Sequence, residues 1–282
     1  MQAPVWKQHL DSLRITDLAE VFGRPKPIIG MVHLWPMPGA PAYQGGGMQA
    51  IIDAALADAE SLAEGGVDGL IVENMWDIPF RAGSDLPPES IAAHAVAARA
   101  VAQSTRLPMG VNLVHNGGLA LLAVAIAAGA DFMRVCMFTG AGVWDGGHID
   151  QGCAAELMRR RRDLQAEHIK ILADVDKKHS VRFPGIDLAT HMEWTRFFGA
   201  DALILSGRMT GDSPGLEKLR QARALCPDRP LLVGSGANED NVADMLGIID
   251  GIIVGSSIKV DGQIHMPVDA DRVRRLVAAA RA

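Results

Sequence analysis

Short runs of apolar, mostly β-branched residues alternate along this chain with longer segments whose apolar residues recur at helical spacing. Four runs follow a turn that contains Gly or Asp, and they span residues 69–72, 132–136, 202–205 and 252–254. Four others fall between them, three beginning at a proline, and span residues 27–31, 108–111, 169–172 and 230–233. Runs of this length and composition predict eight buried strands.

A helical segment is predicted after every strand, so the order strand then helix repeats eight times. Near-continuous apolar strands that alternate with helices require a parallel sheet covered by helices. Eight such units fit a closed (β/α)8 TIM barrel, and we therefore predict one α/β domain over residues 27–282. Residues 1–26 form a loosely amphipathic N-terminal extension, expected to pack on the barrel floor or in a homo-oligomer, with attachment to a membrane surface as the weaker alternative.

Composition narrows the class of protein. A chain of 282 residues with 49% hydrophobic content can bury one large core. The net charge of −6, with 159–162 as the only basic cluster, argues against nucleic acid as a partner. The longest uncharged apolar stretch, 119–130, is shorter than the roughly 20 residues of a transmembrane helix. Without a signal peptide or paired cysteine motifs, we expect a cytoplasmic protein.

Loop lengths indicate which end of the barrel carries function. Connections from helix to strand are short, whereas those from strand to helix are long, and three of them (34–47, 75–87 and 137–150) are long enough to act as lids. The C-terminal ends of the strands are therefore the expected functional face. The short turns at the opposite end repeat an aspartate, which we expect to cap backbone groups at the barrel floor. These aspartates are Asp68, Asp131, Asp201 and Asp250.

Five polar residues at the strand ends are the candidate catalytic group: His33, Glu73, Asn112, Arg134 and Asp174. Carboxylates, an imidazole and a guanidinium in one funnel shift each other's pKa values, which suits general acid/base chemistry. We expect Glu73 and Asp174 to share proton transfer, and the other three to orient or polarise a substrate. Asn112 and Arg134 have an alternative role in a buried polar layer. Further substrate-binding candidates are Asn74, Lys178, Ser206, Thr210 and Gly211, and weaker ones are His115 and His179.

Glycine-serine turns follow the last two predicted strands: Gly234, Ser235 and Gly236, then Gly255, Ser256 and Ser257. Glycines let backbone amides approach an anion, serines add hydroxyl donors, and a following helix adds its N-terminal dipole. Many barrels bind a substrate phosphate at this position. The two turns therefore predict a phosphate site, although no GxxxxGK[ST] motif occurs.

No cofactor is required by these residues. A divalent Mg²⁺, Mn²⁺ or Zn²⁺ ion held by Glu73, Asp174 and His33 is an alternative, because oxygen and imidazole ligands suit these metals. A Schiff-base mechanism is disfavoured, since it needs a lysine inside the barrel, whereas Lys177 and Lys178 lie in a loop.

Several motifs make residues 27–282 resemble the BtpA/SgcQ family. They include GMVHLWPMPG at 30–39, ENMWDIPF at 73–80, GVN at 110–112, VGSG at 233–236 and IVGSSIK at 253–259. The resemblance implies a barrel similar to the phosphate-binding barrels of tryptophan and histidine biosynthesis. This chain has His115, Asn116 and Gly117 where the family pattern has Arg-Asn-Asp, and Asp176 where it has His, which implies a different substrate specificity.

These observations predict an enzyme of the isomerase or lyase type that acts on a sugar phosphate or phosphoribosyl compound. The family name derives from photosystem I biogenesis, and some relatives look like parts of sugar-utilisation gene sets. The alternative hypothesis is accordingly a non-catalytic biogenesis or assembly factor that works through protein partners. A shared fold does not by itself decide between the two.

Overall fold

Eleven strands occur in the computed structural model, which describes residues 16–282. They are β1 (Ile28–His33), β2 (Gly69–Glu73), β3 (Met109–Asn112), β4 (Phe132–Val135), β5 (Ala141–Trp144), β6 (Ile149–Gln151), β7 (Lys170–Asp176), β8 (Ser180–Arg182), β9 (Ala202–Leu205), β10 (Leu231–Val233) and β11 (Gly251–Val254). Eight of them close into a parallel barrel in the order β1-β2-β3-β4-β7-β9-β10-β11. The predicted (β/α)8 barrel is confirmed, and each predicted strand overlaps an observed one.

A helix follows each barrel strand, as predicted, and one short helix precedes β1. The helices are α1 (Leu18–Phe22), α2 (Gln49–Gly65), α3 (Pro88–Ser104), α4 (Gly118–Ala128), α5 (Ala154–Asp163), α6 (Leu188–Phe197), α7 (Leu216–Leu225), α8 (Val242–Leu246) and α9 (Ala270–Arg281). Within residues 16–282, no helix has both the length and the apolar character needed to cross a membrane.

The barrel interior is filled from below by apolar side chains. Phe132 and Leu172 lie there in one buried cluster, and Leu18 and Phe22 of α1 belong to the same cluster. The rings of Phe22 and Phe132 meet edge to face with centroids 5.1 Å apart. Helix α1 thus packs beneath the barrel interior, while residues 1–15 of the predicted N-terminal extension lie outside the described residues.

The four repeated aspartates at the barrel floor bind backbone amides. Asp68 accepts from the Ile28 amide, and Asp131 accepts from the Met109 amide, each at 2.9 Å. The same contact joins Asp201 to Ile171 and Asp250 to Leu231, both at 2.8 Å. Each carboxylate therefore satisfies a strand-start amide in the neighbouring strand, which confirms the predicted capping role.

A small antiparallel sheet, in the order β6-β5-β8, lies above the barrel and was not predicted. The predicted irregular loop 137–150 instead contains β5 and the start of β6, and 75–87 contains a 3₁₀ turn at Gly83–Asp85; only 34–47 lacks helix and strand. Val143 pairs with Ile149 on one side and Val181 on the other, and all three side chains are exposed. Strands of three or four residues that bury so little give only a weak hydrophobic signal.

Candidate functional site

Strand alternation places a polar layer directly above the apolar interior. On β1 the residues Ile29, Met31 and His33 are two apart, so they share one face. His33 pairs in register with Glu73, and Glu73 pairs with Asn112. The inward-facing residues therefore change from apolar to polar at the C-terminal ends of the strands, where a substrate can enter.

A pocket of about 230 Å³ opens at this layer. Apart from the two weaker candidates His115 and His179, which do not line it, twelve of the sixteen predicted site residues line it: His33, Glu73, Arg134, Lys178, Thr210, Gly211, Gly234, Ser235, Gly236, Gly255, Ser256 and Ser257. The structure thus brings three of the five candidate catalytic residues and both glycine-serine turns to one cavity. Five other lining residues were not among the predicted site residues: Met31, Ala237, Asn238, Gly262 and Ile264. Asn238 and Gly262 follow the two turns closely in the chain, which is the signal that could have identified them.

Four predicted site residues do not line the pocket. The Asn112 side chain donates to the Arg134 carbonyl oxygen at 2.7 Å. The Asn74 amide oxygen accepts from the Val114 amide at 2.8 Å. Ser206 is fully buried and its hydroxyl has no partner among the described residues. Asp174, the fourth, is part of an ion pair.

Arg134 and Asp174 form this buried ion pair. The Arg134 Nε and Nη2 atoms donate to the two carboxylate oxygens of Asp174, both at 2.9 Å. Lys177 Nζ lies 3.8 Å from Asp174 Oδ2. Burial alone would raise the pKa of Asp174, but these two cations lower it, so Asp174 is ionised at neutral pH. Both of its oxygens are committed to Arg134, and the pair fixes the guanidinium at the pocket wall.

His33 and Glu73 make up the titratable pair that faces the cavity. His33 Nε2 lies 3.9 Å from Glu73 Oε1, and both side chains are almost fully buried. Burial lowers the pKa of His33 to about 3, although Glu73 acts in the opposite direction, so His33 is neutral at pH 7. Burial would raise the pKa of Glu73, but Lys178, His33, Lys177 and Arg134 lower it overall. His33 Nδ1 is buried and has no partner among the described residues.

The loop after β10 presents unpaired amides to the same cavity. The Gly234 amide donates to the Leu205 carbonyl oxygen at 2.7 Å. The next three amides, those of Ser235, Gly236 and Ala237, donate to no acceptor in residues 16–282. All three residues line the pocket, and Gly236 has a positive φ of 78°. Successive free amides around a left-handed residue form a concave site for an anion.

Two of the three serines in the turns donate their hydroxyl hydrogens to backbone carbonyl oxygens. The Ser235 hydroxyl donates to the Asp212 carbonyl oxygen at 2.8 Å, and the Ser257 hydroxyl donates to the Ala237 carbonyl oxygen at 2.7 Å. These bonds hold the two turns in place. Ser256, which starts a 3₁₀ turn directly after Gly255, is therefore the serine best placed to contact a ligand.

The predicted helix dipole is absent from the first turn, because α8 begins only at Val242. Asn238 Oδ1 accepts from the amides of Asp240 and Asn241, at 2.9 and 3.2 Å. Asn241 Nδ2 donates to the Gly236 carbonyl oxygen at 3.0 Å. The two asparagines thus fold the intervening segment and fix the position of the free amides.

The three predicted metal ligands make separate contacts. Glu73 lies near His33, whereas Asp174 is bound to Arg134. No group of three or more His, Cys, Asp or Glu side chains in residues 16–282 is arranged to hold a metal ion. The divalent metal stays a prediction.

A second polar cluster lies beneath the small sheet. His115 Nδ1 is 3.9 Å from Asp150 Oδ2, and the His115 ring packs on Trp144 with centroids 3.9 Å apart. Lys177 Nζ lies 5.8 Å from the Trp144 ring centroid, which connects this cluster to the Arg134–Asp174 pair. Burial raises the pKa of Asp150 to about 6, although Trp144, His148 and Lys177 lower it.

We expect Asp150→Asn to change how stability depends on pH. Between pH 4 and 6 the native protein keeps a proton on Asp150 that the unfolded chain has lost, so this group makes stability fall as pH rises through that window. Relative to wild type, the variant should gain about 2 kcal/mol between pH 4.5 and 7, because one pKa unit is worth about 1.4 kcal/mol. Urea unfolding at both pH values measures this.

Subtracting wild type from variant cancels the titration of groups remote from Asp150, such as His33. Burial lowers the pKa of His33 to about 3, so His33 makes stability rise with pH by the same amount in both proteins. An equal stability difference at pH 4.5 and 7 would show that Asp150 titrates normally.

A family model and several known proteins match this chain over the whole barrel. A family model described as the BtpA family matches residues 24–282. An uncharacterized protein of Thermococcus kodakarensis is 41% identical over 256 residues, covering 91% of this chain and 95% of that protein. The photosystem I biogenesis protein BtpA of Synechocystis sp. is 39% identical over 264 residues, covering 93% and 91%.

Solved structures with the same fold are distant in sequence. N-(5'-phosphoribosyl)anthranilate isomerase of Pyrococcus furiosus has a TM-score of 0.55 at 14% identity, covering 91% of this chain and 98% of that one. Thiamine phosphate pyrophosphorylase of the same organism has a TM-score of 0.55 at 16% identity, covering 91% and 96%. At these identities the likeness establishes the fold alone.

Proposed function

This chain belongs to the BtpA family, and we propose that it is an enzyme that acts on a small phosphorylated substrate at the C-terminal end of the barrel. One observation carries the proposal: three consecutive unpaired amides, of Ser235, Gly236 and Ala237, line the cavity that also contains Glu73 and His33. A phosphate on the amides holds the rest of a small molecule beside a carboxylate that can accept a proton. The names of the distant barrel neighbours, an isomerase and a pyrophosphorylase of phosphorylated compounds, agree with this substrate class.

The proposed roles follow from which groups face the cavity. Glu73 transfers protons, while neutral His33 and charged Arg134 orient and polarise the substrate. Asp174 holds Arg134 in place and takes no proton, because both its oxygens accept hydrogen bonds from that guanidinium. Isomerisation or carbon–carbon lyase chemistry on a sugar phosphate or phosphoribosyl compound needs no more than these groups. Thermal unfolding with added Mg²⁺ tests whether a divalent cation also binds with the substrate.

Thermal unfolding with and without ligands tests the phosphate site. We expect inorganic phosphate to raise the unfolding temperature. One compound from a panel of sugar phosphates and phosphoribosyl compounds should raise it more. Each ligand is measured with and without Mg²⁺. A ligand that binds only the native state stabilises it by about 2.7 kcal/mol at 100 times its dissociation constant.

Ser256 supplies a matched pair of variants, because it is half-buried and lines the pocket. Ser256→Asp places a negative charge beside the amides and should abolish the phosphate response through like-charge repulsion. Ser256→Asn has nearly the same shape without the charge and should keep most of it. Equal phosphate responses in the two variants would place the anion elsewhere.

A non-catalytic assembly factor is the second candidate function, favoured by the 39% identical relative named for photosystem I biogenesis. Binding to a protein partner needs an exposed apolar surface, and the row of Ile149, Val143 and Val181 on the small sheet has this character. Wild-type protein that responds to no phosphorylated compound at millimolar concentration would favour this candidate over the enzyme.

A further inference from the structure

Lys178 reaches the cavity although it follows the end of β7. The pairing of β7 with β9 is irregular between Asp174 and Asp176, directly before this lysine. His179, next in the chain, has a positive φ of 61° and is held by Asp145 at 3.0 Å and Thr210 at 2.9 Å. Lys178 lines the pocket as a result, so its place in a loop, which was the ground for disfavouring a Schiff base, does not keep it from the barrel mouth.

The cations near the cavity differ in their partners. Arg134 binds Asp174 at 2.9 Å, Lys177 lies 3.8 Å from Asp174, and Lys259 contacts Asp58 at 2.5 Å. Lys178 has no hydrogen-bond acceptor and no carboxylate within 4 Å among residues 16–282, yet it faces the cavity. A cation whose role is structural normally has such a partner. The amine is therefore available to a ligand.

The surroundings of Lys178 increase the share of the neutral amine, which is the nucleophilic form. Burial, together with the positive charges of Lys177 and Arg134, lowers the pKa of Lys178 to about 8 against the opposing effect of Glu73. Desolvation and adjacent cations are the two means by which proteins activate lysine for attack on a carbonyl group. Glu73 is the carboxylate with the largest electrostatic effect on Lys178, and it lines the same cavity.

We propose that Lys178 Nζ forms a Schiff base with the carbonyl carbon of a phosphorylated aldehyde or ketone whose phosphate lies on the amides of residues 235–237. The proposal rests on the proposed function and names its substrate class and its nucleophile. Residues 235–237, Lys178 and Glu73 all line one cavity, so a single small molecule can contact all of them.

The step is balanced without any oxidant or reductant. A carbon–nitrogen bond forms, and Glu73 transfers one proton from nitrogen to the carbonyl oxygen. The carbon–oxygen bond then breaks as a second proton, taken up from the solvent as hydronium and passed on by Glu73, lets that oxygen leave as water. The product is an iminium ion, and the positive charge brought by that proton lies on nitrogen. The iminium withdraws electrons from the neighbouring carbon, as isomerisation and carbon–carbon cleavage both require.

Reductive trapping tests the proposal on the full chain. The protein is incubated with glyceraldehyde 3-phosphate or dihydroxyacetone phosphate, then with sodium borohydride, and the adduct is located by peptide mass spectrometry. We expect one dominant adduct on Lys178 that grows faster at pH 8.5 than at pH 7. Inorganic phosphate should suppress it, and unphosphorylated glyceraldehyde should give at least tenfold less of it. Mapping the wild-type adduct makes the test independent of whether any variant folds.

Two lysine variants complete the experiment. Lys178→Arg keeps the positive charge without the amine, and should lose the dominant adduct while keeping the thermal response to inorganic phosphate. Lys170→Arg is the matched control at the barrel floor, where Lys170 lies 3.7 Å from Asp201, and should label like wild type. Labelling spread over surface lysines, or unchanged in Lys178→Arg, overturns the Schiff base. If phosphate still stabilises the protein, only this inference fails; if phosphate has no effect either, the proposed function fails with it.

Discussion

Asp174→Asn is expected to lower the free energy of unfolding by about 3–5 kcal/mol, the usual effect of removing one partner from a buried ion pair. Asp174 and Arg134 are both almost completely buried and share two hydrogen bonds of 2.9 Å. An asparagine keeps the shape of the side chain but leaves the guanidinium, and the nearby Lys177, without a negative charge. Urea unfolding at pH 7 measures the loss.

The same substitution two residues farther along β7 is the control. Asp176 contacts Arg182 and Lys218, but it is partly exposed, so its ion pairs contribute little. We expect Asp176→Asn to cost about 1 kcal/mol or less. If both variants lose equally little stability, the buried pair does not hold Arg134 in the way described.

A double variant separates stability from function at this pair. Replacing both residues with apolar ones, Arg134→Met with Asp174→Leu, removes both members of the pair together and should recover part of the lost stability, because such replacements are often neutral. The recovery is partial because Lys177 still lacks its carboxylate. The double variant also removes the only arginine that lines the cavity within residues 16–282, so its thermal response to inorganic phosphate should be weaker than in wild type. A double variant with full phosphate response would exclude Arg134 from the binding site.

Hydrophobic patterning was sufficient to predict the barrel, because each strand is buried on both faces and every barrel helix except the short α8 is long enough to show its period. Period-two alternation also accounts for the polar layer, since His33, Glu73 and Arg134 each lie two residues beyond an inward-facing apolar residue. The small sheet escaped prediction for the converse reason. Its strands bury little, so no run of apolar residues marks them.

Roles within the site depended on contacts that a sequence does not contain. Glu73 and Asp174 look equivalent as carboxylates at strand ends, yet one faces the cavity and the other is bound to Arg134. Lys178 was predicted as a substrate-binding residue but not as a nucleophile, because loop residues have no fixed direction, and the turn held at His179 leads it to the cavity. The serines of the two turns could not be told apart before their hydrogen bonds to the backbone were known.

Glu73→Gln is expected to separate binding from turnover. The carboxylate is buried among Lys178, Lys177 and Arg134, and it lines the cavity where we propose that phosphate binds. Removing its charge should strengthen binding of inorganic phosphate by about tenfold, since one less unit of negative charge in a partly hydrated pocket is worth about 1 kcal/mol or more. Removing the proton acceptor should lower turnover of the eventual substrate by about 10²–10⁴-fold. Calorimetry with inorganic phosphate tests the first effect before any substrate is known.

Glu89→Gln is the matched control, because Glu89 is exposed at the start of α3 and does not line the cavity. It removes the same charge from the molecule, so it measures the effect of net charge on phosphate binding. This effect should be below twofold at physiological salt, because exposed charges are screened over about 8 Å. Tighter phosphate binding in Glu73→Gln alone would mean that this carboxylate opposes the anion it lies beside. A protein keeps such an arrangement when the carboxylate is needed for proton transfer. Unchanged phosphate affinity in Glu73→Gln would place the anion too far from Glu73 for the two to act on one substrate, and would exclude the proposed acid/base role.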